Sequence, residues 1–411
     1  MALNLSAASN ILKVRYLGPI RSQLNASTFL LSRIGRADNE MVSGKNFTVP
    51  LHTSRNRSAG TGRDDGGTLP TAGNQGYDVA IIPNAYQYGR IQITGPAIAA
   101  TRDNAGAFVR AVESEIEGLM MDFKRSFNRQ MHSDGRDALA FWTGADDSSG
   151  TNVDDNRGNS FVHLESGTTT CDLIDATDHT TKLGDSIVVT LGAAAATNYA
   201  ITWTGTVSGS ADTDYLVLED TLGYQLMGLK GIVDDADPPL LSGGLHGLAV
   251  ASKTFWKAQI VEGDTPGTNQ ALTFARMQKP LDLIATNSKY DESGVKFLMC
   301  SYGVRAKYVD TCIADRRHVN TMELDGGFKA VDFNGIPLVP DPQCQKNRIY
   351  YITPEVLKIF RTSDFTWMEK DGAVLSRVSN TDAYEATLFH YGNLGCTARN
   401  ALGLLDDITE A

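Results

Sequence analysis

The strongest periodicity in the chain lies between residues 104 and 132. Apolar side chains recur at Phe108, Val112, Ile116, Leu119, Met120, Phe123, Phe127 and Met131. Spacings of three and four place them on one face of an α-helix. Thr101, Asp103 or Asn104 supplies its N-cap, and Asp134-Gly135 its stop. At about 1.5 Å per residue this helix runs roughly 44 Å. A single stripe on so long a rod predicts packing across a sheet.

Before it, residues 46–95 read as a long hairpin. Phe47–Leu51 is one strand; Tyr77, Val79 and Ile81, then Tyr86, Tyr88, Ile91 and Ile93, form the return. From Ala59 through Gly76 there are six glycines, which predicts a loop without a core. An isolated two-stranded ribbon is marginal in water, so this one needs another surface, that of a second subunit. Residues 1–45 read as an arm whose Leu24, Phe29, Leu30, Leu31 and Ile34 also need a partner surface.

After the helix, residues 143–230 are rich in Thr, Asp, Gly and Ser. Strand candidates at 160–164, 186–191, 199–207 and 215–218 predict a β-rich insertion. Residues 231–289 are mixed, with a helix near 271–285 that Pro280 starts or kinks. Apolar runs at 295–300, 349–352 and 356–360 alternate with a helix near 303–314. Asp371-Gly372 predicts a hairpin between 365–367 and 374–378, and Tyr384, Ala386, Leu388 and His390 alternate as a closing strand.

Composition narrows the function. With 42% hydrophobic and 21% charged residues, the 411-residue chain is globular and long enough for two or three cores. Its five cysteines form no C-x-x-C pair, which argues against structural zinc or a disulfide scaffold. No run reads as a membrane span or signal peptide. Charge is lopsided. Residues 1–63 hold nine basic and two acidic side chains, whereas residues 143–242 hold 16 acids and three bases, within a net charge of −11. Opposite signs in one chain favour self-association or nucleic-acid contact.

Catalytic constellations are missing. The seven histidines are never closer than 16 residues, so no H-E-x-x-H exists, and GTGRDDGG at 60–67 lacks a dinucleotide loop's spacing. The acidic pairs Asp146-Asp147 and Asp154-Asp155 and the run Asp234-Asp235-Ala236-Asp237 lack EF-hand spacing and read as solvated turns. Cys300 and Cys312 read as buried small hydrophobes. No catalytic, cofactor or metal residue is assigned.

Four segments carry a resemblance. They are Gly228–Asp235 with Leu245–Leu248 and Trp256; Asp325–Ala330 with Phe333–Asp341; Phe365–Gly372; and Tyr391–Asn400. Together with the order of elements, they resemble tailed-bacteriophage major capsid proteins. That resemblance implies an α+β fold of the Hong Kong phage type with a β-rich insertion. It implies an N-arm at 1–45, an E-loop at 46–95 and a β insertion at 143–230. The peripheral domain takes 96–142, 231–289 and 366–411, with its spine helix at 104–132, and the axial domain 290–365. It further implies hexamers and pentamers that close an icosahedral shell around double-stranded DNA, with a separate scaffolding protein, a portal and a decoration protein as partners. The chain then belongs in the virion, assembled in the host cytoplasm, without cofactor or enzymatic activity. Intersubunit contacts fall to Arg55, Arg57 and Arg63 on the hairpin, facing acidic patches of the next copy, and to Tyr86 and Tyr88. Because the hairpin begins by residue 46, no long scaffolding segment is expected before it, so either a separate scaffolding protein assists or the chain is a mature form. Lys45 and Asn46 have no evident crosslinking partner. The same-fold alternative is an encapsulin shell.

Overall fold

A computed structural model describes residues 29–37, 45–95, 105–136, 138–142, 152–154, 168–194, 198–265, 267–314, 321–324, 328–369 and 376–410. Its strands form three main assemblies, with one hairpin projecting from them.

The first assembly is built on Ala383–Cys396. Ala85–Thr94 pairs along one edge, and Leu357–Trp367 and Ser376–Arg377 along the other. Gly35–Ala37 adds in parallel to Leu357–Trp367. The helix Ala105–His132 lies across this sheet, as its stripe predicts. Phe123 and Phe127 meet Phe365 edge-on at 5.5 and 5.3 Å between centroids, and Phe127 meets His390 at 4.7 Å. Gly89 permits the approach: a Cβ there would stand only 3.0 Å from Phe123 and 3.1 Å from Leu119.

The second assembly is a seven-stranded sheet in the order Gln259–Val261, Gly403–Leu405, Ile349–Ile352, Phe297–Cys300, Ile336–Pro340, Phe328–Phe333, Thr321–Leu324. The helices Phe274–Asn287 and Tyr302–Ala314 cover one face, where Leu281, Ile284, Val304 and Tyr308 pack on Leu298, Cys300 and Tyr351. Phe297, Met299, Tyr350 and Ile352 point the other way, into the largest core. Burial on both faces explains why these strands read as continuous apolar runs. Thr273 caps Phe274–Asn287 by accepting from the Arg276 N–H. Pro280 therefore does not start this helix; it lies buried inside it.

The third assembly is a closed six-stranded barrel formed by Ala140–Trp142, Asn152–Asp154, Thr168–Ile174, Lys182–Ala194, Asn198–Thr204 and Tyr215–Leu218. Trp142 and Trp203, 5.0 Å apart, fill it with Leu173, Ile187, Val189 and Ile201. Its first strand precedes residue 143. The strand candidate at 160–164 lies outside the described residues.

Four expectations change. The hairpin consists of Asn46–Ser54 and Gly76–Pro83 alone. Pro83, with no N–H to give, closes that ladder, and Tyr86, Tyr88, Ile91 and Ile93 belong to the first sheet. Phe29, Leu30, Leu31 and Ile34 are buried within this chain, with Phe29 edge-on to Phe297 at 5.5 Å. Leu24 lies outside the described residues. Leu357–Trp367 and Ser376–Arg377 do not pair with each other. Leu388 pairs with Gly89 and Trp367, and Glu385 with Gln92 and Ser376, so both segments share the edge opposite Ala85–Thr94. The turn lies at Asn380, in the left-handed region at φ 61°, and Val378 N–H donates to Ala383 O. Finally, the seven-stranded sheet draws on 259–261 and 403–405, whereas 357–367 joins the first sheet. The span 290–365 is thus not one structural unit.

Candidate assembly surface

The base of the hairpin is fixed by a polar knot. Arg399 is fully buried and donates to four carbonyls: Ile232 O at 2.8 Å, Ala236 O at 2.7 Å, Gly231 O at 3.2 Å and Trp256 O at 3.2 Å. Trp256 Nε1 donates to Leu245 O, and Cys396 N–H donates to His246 Nε2. Asn393 accepts from Met227 N–H and donates to Pro83 O. Three stretches that are far apart in sequence, 227–256, 391–399 and the hairpin's end, therefore meet at one point. Burial, with the Arg399 charge nearby, pushes His246 down to about 3, so it stays a neutral acceptor. Gly228 can only be glycine, because a Cβ would fall 2.4 Å from the carbonyls of Gln130 and Ser133. Burial alone would raise the Asp134 carboxyl, but Lys230 at 3.2 Å and Arg136 at 2.7 Å hold it well below the usual carboxylate range.

From this base the hairpin projects with one face unpartnered. Phe47, Ala80 and Ile82 are buried, whereas Tyr77 (71% exposed), Val79 and Ile81 alternate with them and face solvent. The tip holds Arg55, Arg57 and Arg63, all exposed, with Asp64 and Asp65 beside them. Asn56 braces the tip by donating to Gly73 O and accepting from Ser58. Leu69, at its end, is 82% exposed. Tyr86 and Tyr88 sit elsewhere, on the open face of the first sheet, flanking Tyr391 at 5.2 and 5.9 Å. The structure thus joins the two tyrosines into one aromatic ridge and separates them from the three arginines. Sequence reasoning missed Leu69 and Arg399; the first was visible as a lone large apolar residue in a glycine-rich loop.

A crevice of about 280 Å³ opens between the barrel and the hairpin base. Pro83, Leu222, Gln225, Met227, Leu240 and Leu241 line most of it. Among the described residues one carboxylate trio, Asp172, Asp185 and Asp220, is close enough to share a cation. Lys182 Nζ already sits among them at 2.9, 2.7 and 2.9 Å. Asp234 caps a turn by accepting from Ala236 N–H, whereas Asp237 accepts from Val250 N–H across the loop between them. Asp146, Asp147 and Asp155 lie outside the described residues. Among those described, no helix is long and apolar enough to cross a membrane.

No protein-family model matches the sequence, and no curated protein does. A long helix laid over a sheet, a projecting hairpin and a second, helix-covered sheet together define the α+β fold of phage capsid proteins. The chain is similar to the cyanophage A-1(L) capsid asymmetric unit at a TM-score of 0.62 and 15% identity, covering 99% of both chains. Mycobacterium phage Bobi gives a TM-score of 0.49 at 8% identity, covering 99% of both chains. An encapsulin complex from Synechococcus elongatus gives 0.49 at 10% identity, covering 99% of this chain and 96% of that one.

Proposed function

We propose that this chain is the major capsid protein of a tailed bacteriophage, assembling as hexamers and pentamers into an icosahedral shell around double-stranded DNA. The observation that carries this reading is the fold shared with the cyanophage A-1(L) capsid chain over 99% of both chains. The unpartnered apolar face of the hairpin supports it, because a lone ribbon of this kind needs a neighbour to cover it. On this reading the hairpin is the E-loop, and Ala105–His132 with the first sheet is the peripheral domain. The seven-stranded sheet, 259–352 with 403–405, is the core of the axial domain. Arg55, Arg57, Arg63, Tyr86 and Tyr88 lie between subunits. A scaffolding protein, a portal and a decoration protein are the expected partners, and the virion is the site of action. Contact with DNA is weak and nonspecific, because a chain of net charge −11 repels phosphate.

The test is direct. The full chain is expressed alone and with its neighbouring genes, separated by size exclusion and imaged by negative-stain electron microscopy. Closed shells or five- and six-fold rings are expected. Particles filled with a cargo protein in place of DNA point to an encapsulin instead, and a chain that stays monomeric in every combination overturns the shell reading.

A further inference from the structure

The barrel meets the rest of the chain through charges and aromatic faces, not through a shared core. Among the described residues no buried apolar cluster draws on both the barrel and the two sheets. Phe141, Ile174, Tyr215 and Val217, at the seam, form a small cluster of their own. Arg136, just past the long helix, lays its guanidinium 5.1 Å from the Tyr215 ring centroid and 6.0 Å from that of Phe141, and Lys230 Nζ stands 5.5 Å from Phe141. Asp134 holds both cations in place. Cations over ring faces attract without interlocking, and a polar seam between units of one chain ordinarily permits relative motion. We propose that the barrel is a hinged flap: it swings about Gly135 and Gly223 into the crevice beside it, and the clasp of Arg136 and Lys230 on Phe141 and Tyr215 holds it open.

Both passages of the chain between barrel and body carry a glycine in the left-handed region, Gly135 at φ 87° and Gly223 at φ 79°. Each lies beside a fixed point. On the entry side Gly231 N–H donates to Ser133 O, which ties down the end of the long helix. On the exit side Gln87 Nε2 donates to Tyr224 O, and Leu226 N–H donates to Gln130 Oε1. Between Leu218 and Tyr224 the backbone makes two successive turns, Thr221 N–H donating to Leu218 O and Tyr224 N–H to Thr221 O. A few loop residues between anchored ends can absorb the backbone rotation of a hinge. The swing also has room. Gly135 and Gly223 both line the crevice of about 280 Å³, with His179 and Thr180 on the barrel's side and Pro83 and Leu241 on the body's. Closure carries Thr180 toward Pro83, so the two poses differ at the root of the projecting hairpin.

Single-molecule energy transfer on the full chain tests the flap, in particles or unassembled, so the shell reading stands or falls separately. All five cysteines are buried. Dyes therefore attach to Ser208→Cys on the barrel and Ala285→Cys on the helix Phe274–Asn287, both exposed positions. In particles the labelled chain is diluted in unlabelled parent, so that only pairs within one chain are read. The parent should give one dominant efficiency. Arg136→Gln removes a cation of the clasp and should raise the fraction at a second efficiency about threefold or more. Gly223→Ala points its methyl into open space, with no atom within 4 Å, and penalises only the left-handed backbone. It should enrich the same second state. Lys279→Gln removes an exposed charge from the helix Phe274–Asn287 and should leave the parent's distribution unchanged. One second efficiency shared by Arg136→Gln and Gly223→Ala establishes the hinge. If Arg136→Gln does not fold, Gly223→Ala decides alone. A single efficiency, unchanged in Gly223→Ala and in folded Arg136→Gln, makes the joint rigid and overturns the proposal.

Discussion

Replacing Arg399 by methionine keeps an unbranched apolar stem and removes the guanidinium that binds Gly231, Ile232, Ala236 and Trp256. Each carbonyl left without its donor costs about 1–3 kcal/mol, for a gross loss of about 4–12 kcal/mol. Two effects reduce it. Burial already pulls the Arg399 pKa below the ordinary arginine value, and methionine is spared that desolvation. Water also reaches some of the freed carbonyls. The net expectation is about 3–5 kcal/mol, a large share of a typical 5–15 kcal/mol (about the range for natural domains). Arg399→Lys keeps the charge but cannot fork toward four acceptors, so it should lose about half as much. Urea unfolding followed by tryptophan fluorescence measures both, since Trp256 lies in the knot. If both variants unfold within about 0.5 kcal/mol of the parent, the guanidinium does not hold these segments together.

His390 gives a pH prediction. Burial pushes it down to about 4, against the pull of Asp364, with the Arg361 and Arg36 charges assisting. It is neutral when folded, and the unfolded chain takes up its proton first. Stability is therefore full above about pH 6.5 and falls by roughly 3 kcal/mol toward pH 4. His390→Phe should flatten that acid limb, and superimposable urea midpoints between pH 7.5 and 4.5 would falsify the assignment. His246, held at about 3, adds to the same limb. Lys182→Met leaves the buried Asp172 with only the backbone N–H groups of Ser186 and Asp220. With Lys182 one-third exposed, a loss of about 1–3 kcal/mol is expected in thermal unfolding of the barrel, and an unshifted melt counts against the cluster. Mutating Arg55, Arg57 and Arg63 together to alanine should weaken assembly more at low salt than at high salt, measured by sedimentation. Equal assembly at both would remove their role in register.

Periodic elements were legible in the sequence because one local pattern determines each of them. The stripe from Phe108 to Met131 fixes a helix and its buried face whatever lies beneath. Pairing across distance was not legible. Tyr86 and Tyr88 alternate as well as Tyr77 and Val79 do, and only the missing N–H of Pro83 hints that the ladder changes partner. Asp371-Gly372 looks like a hairpin turn, yet the strands on either side lie end to end along Ala383–Cys396. Phe29 and Leu30 looked like an arm seeking a neighbour because their partner, Phe297, lies more than 260 residues away. In the sequence the three arginines and two tyrosines fall on one hairpin, and nothing in a linear sequence distinguishes a strand's tip from its base. Arg399 was hidden because a buried cation that binds only carbonyls needs no acidic neighbour in the sequence.

The barrel's first and last strands are also its neighbours: Phe141 pairs with Tyr215, and Leu139 N–H donates to Leu216 O. Residues paired across an antiparallel ladder stand about 4.5–5.5 Å apart. The chain therefore departs and returns at almost one point. In hereditary terms this is a cassette. A replacement spliced at that seam has only two adjacent chain ends to join.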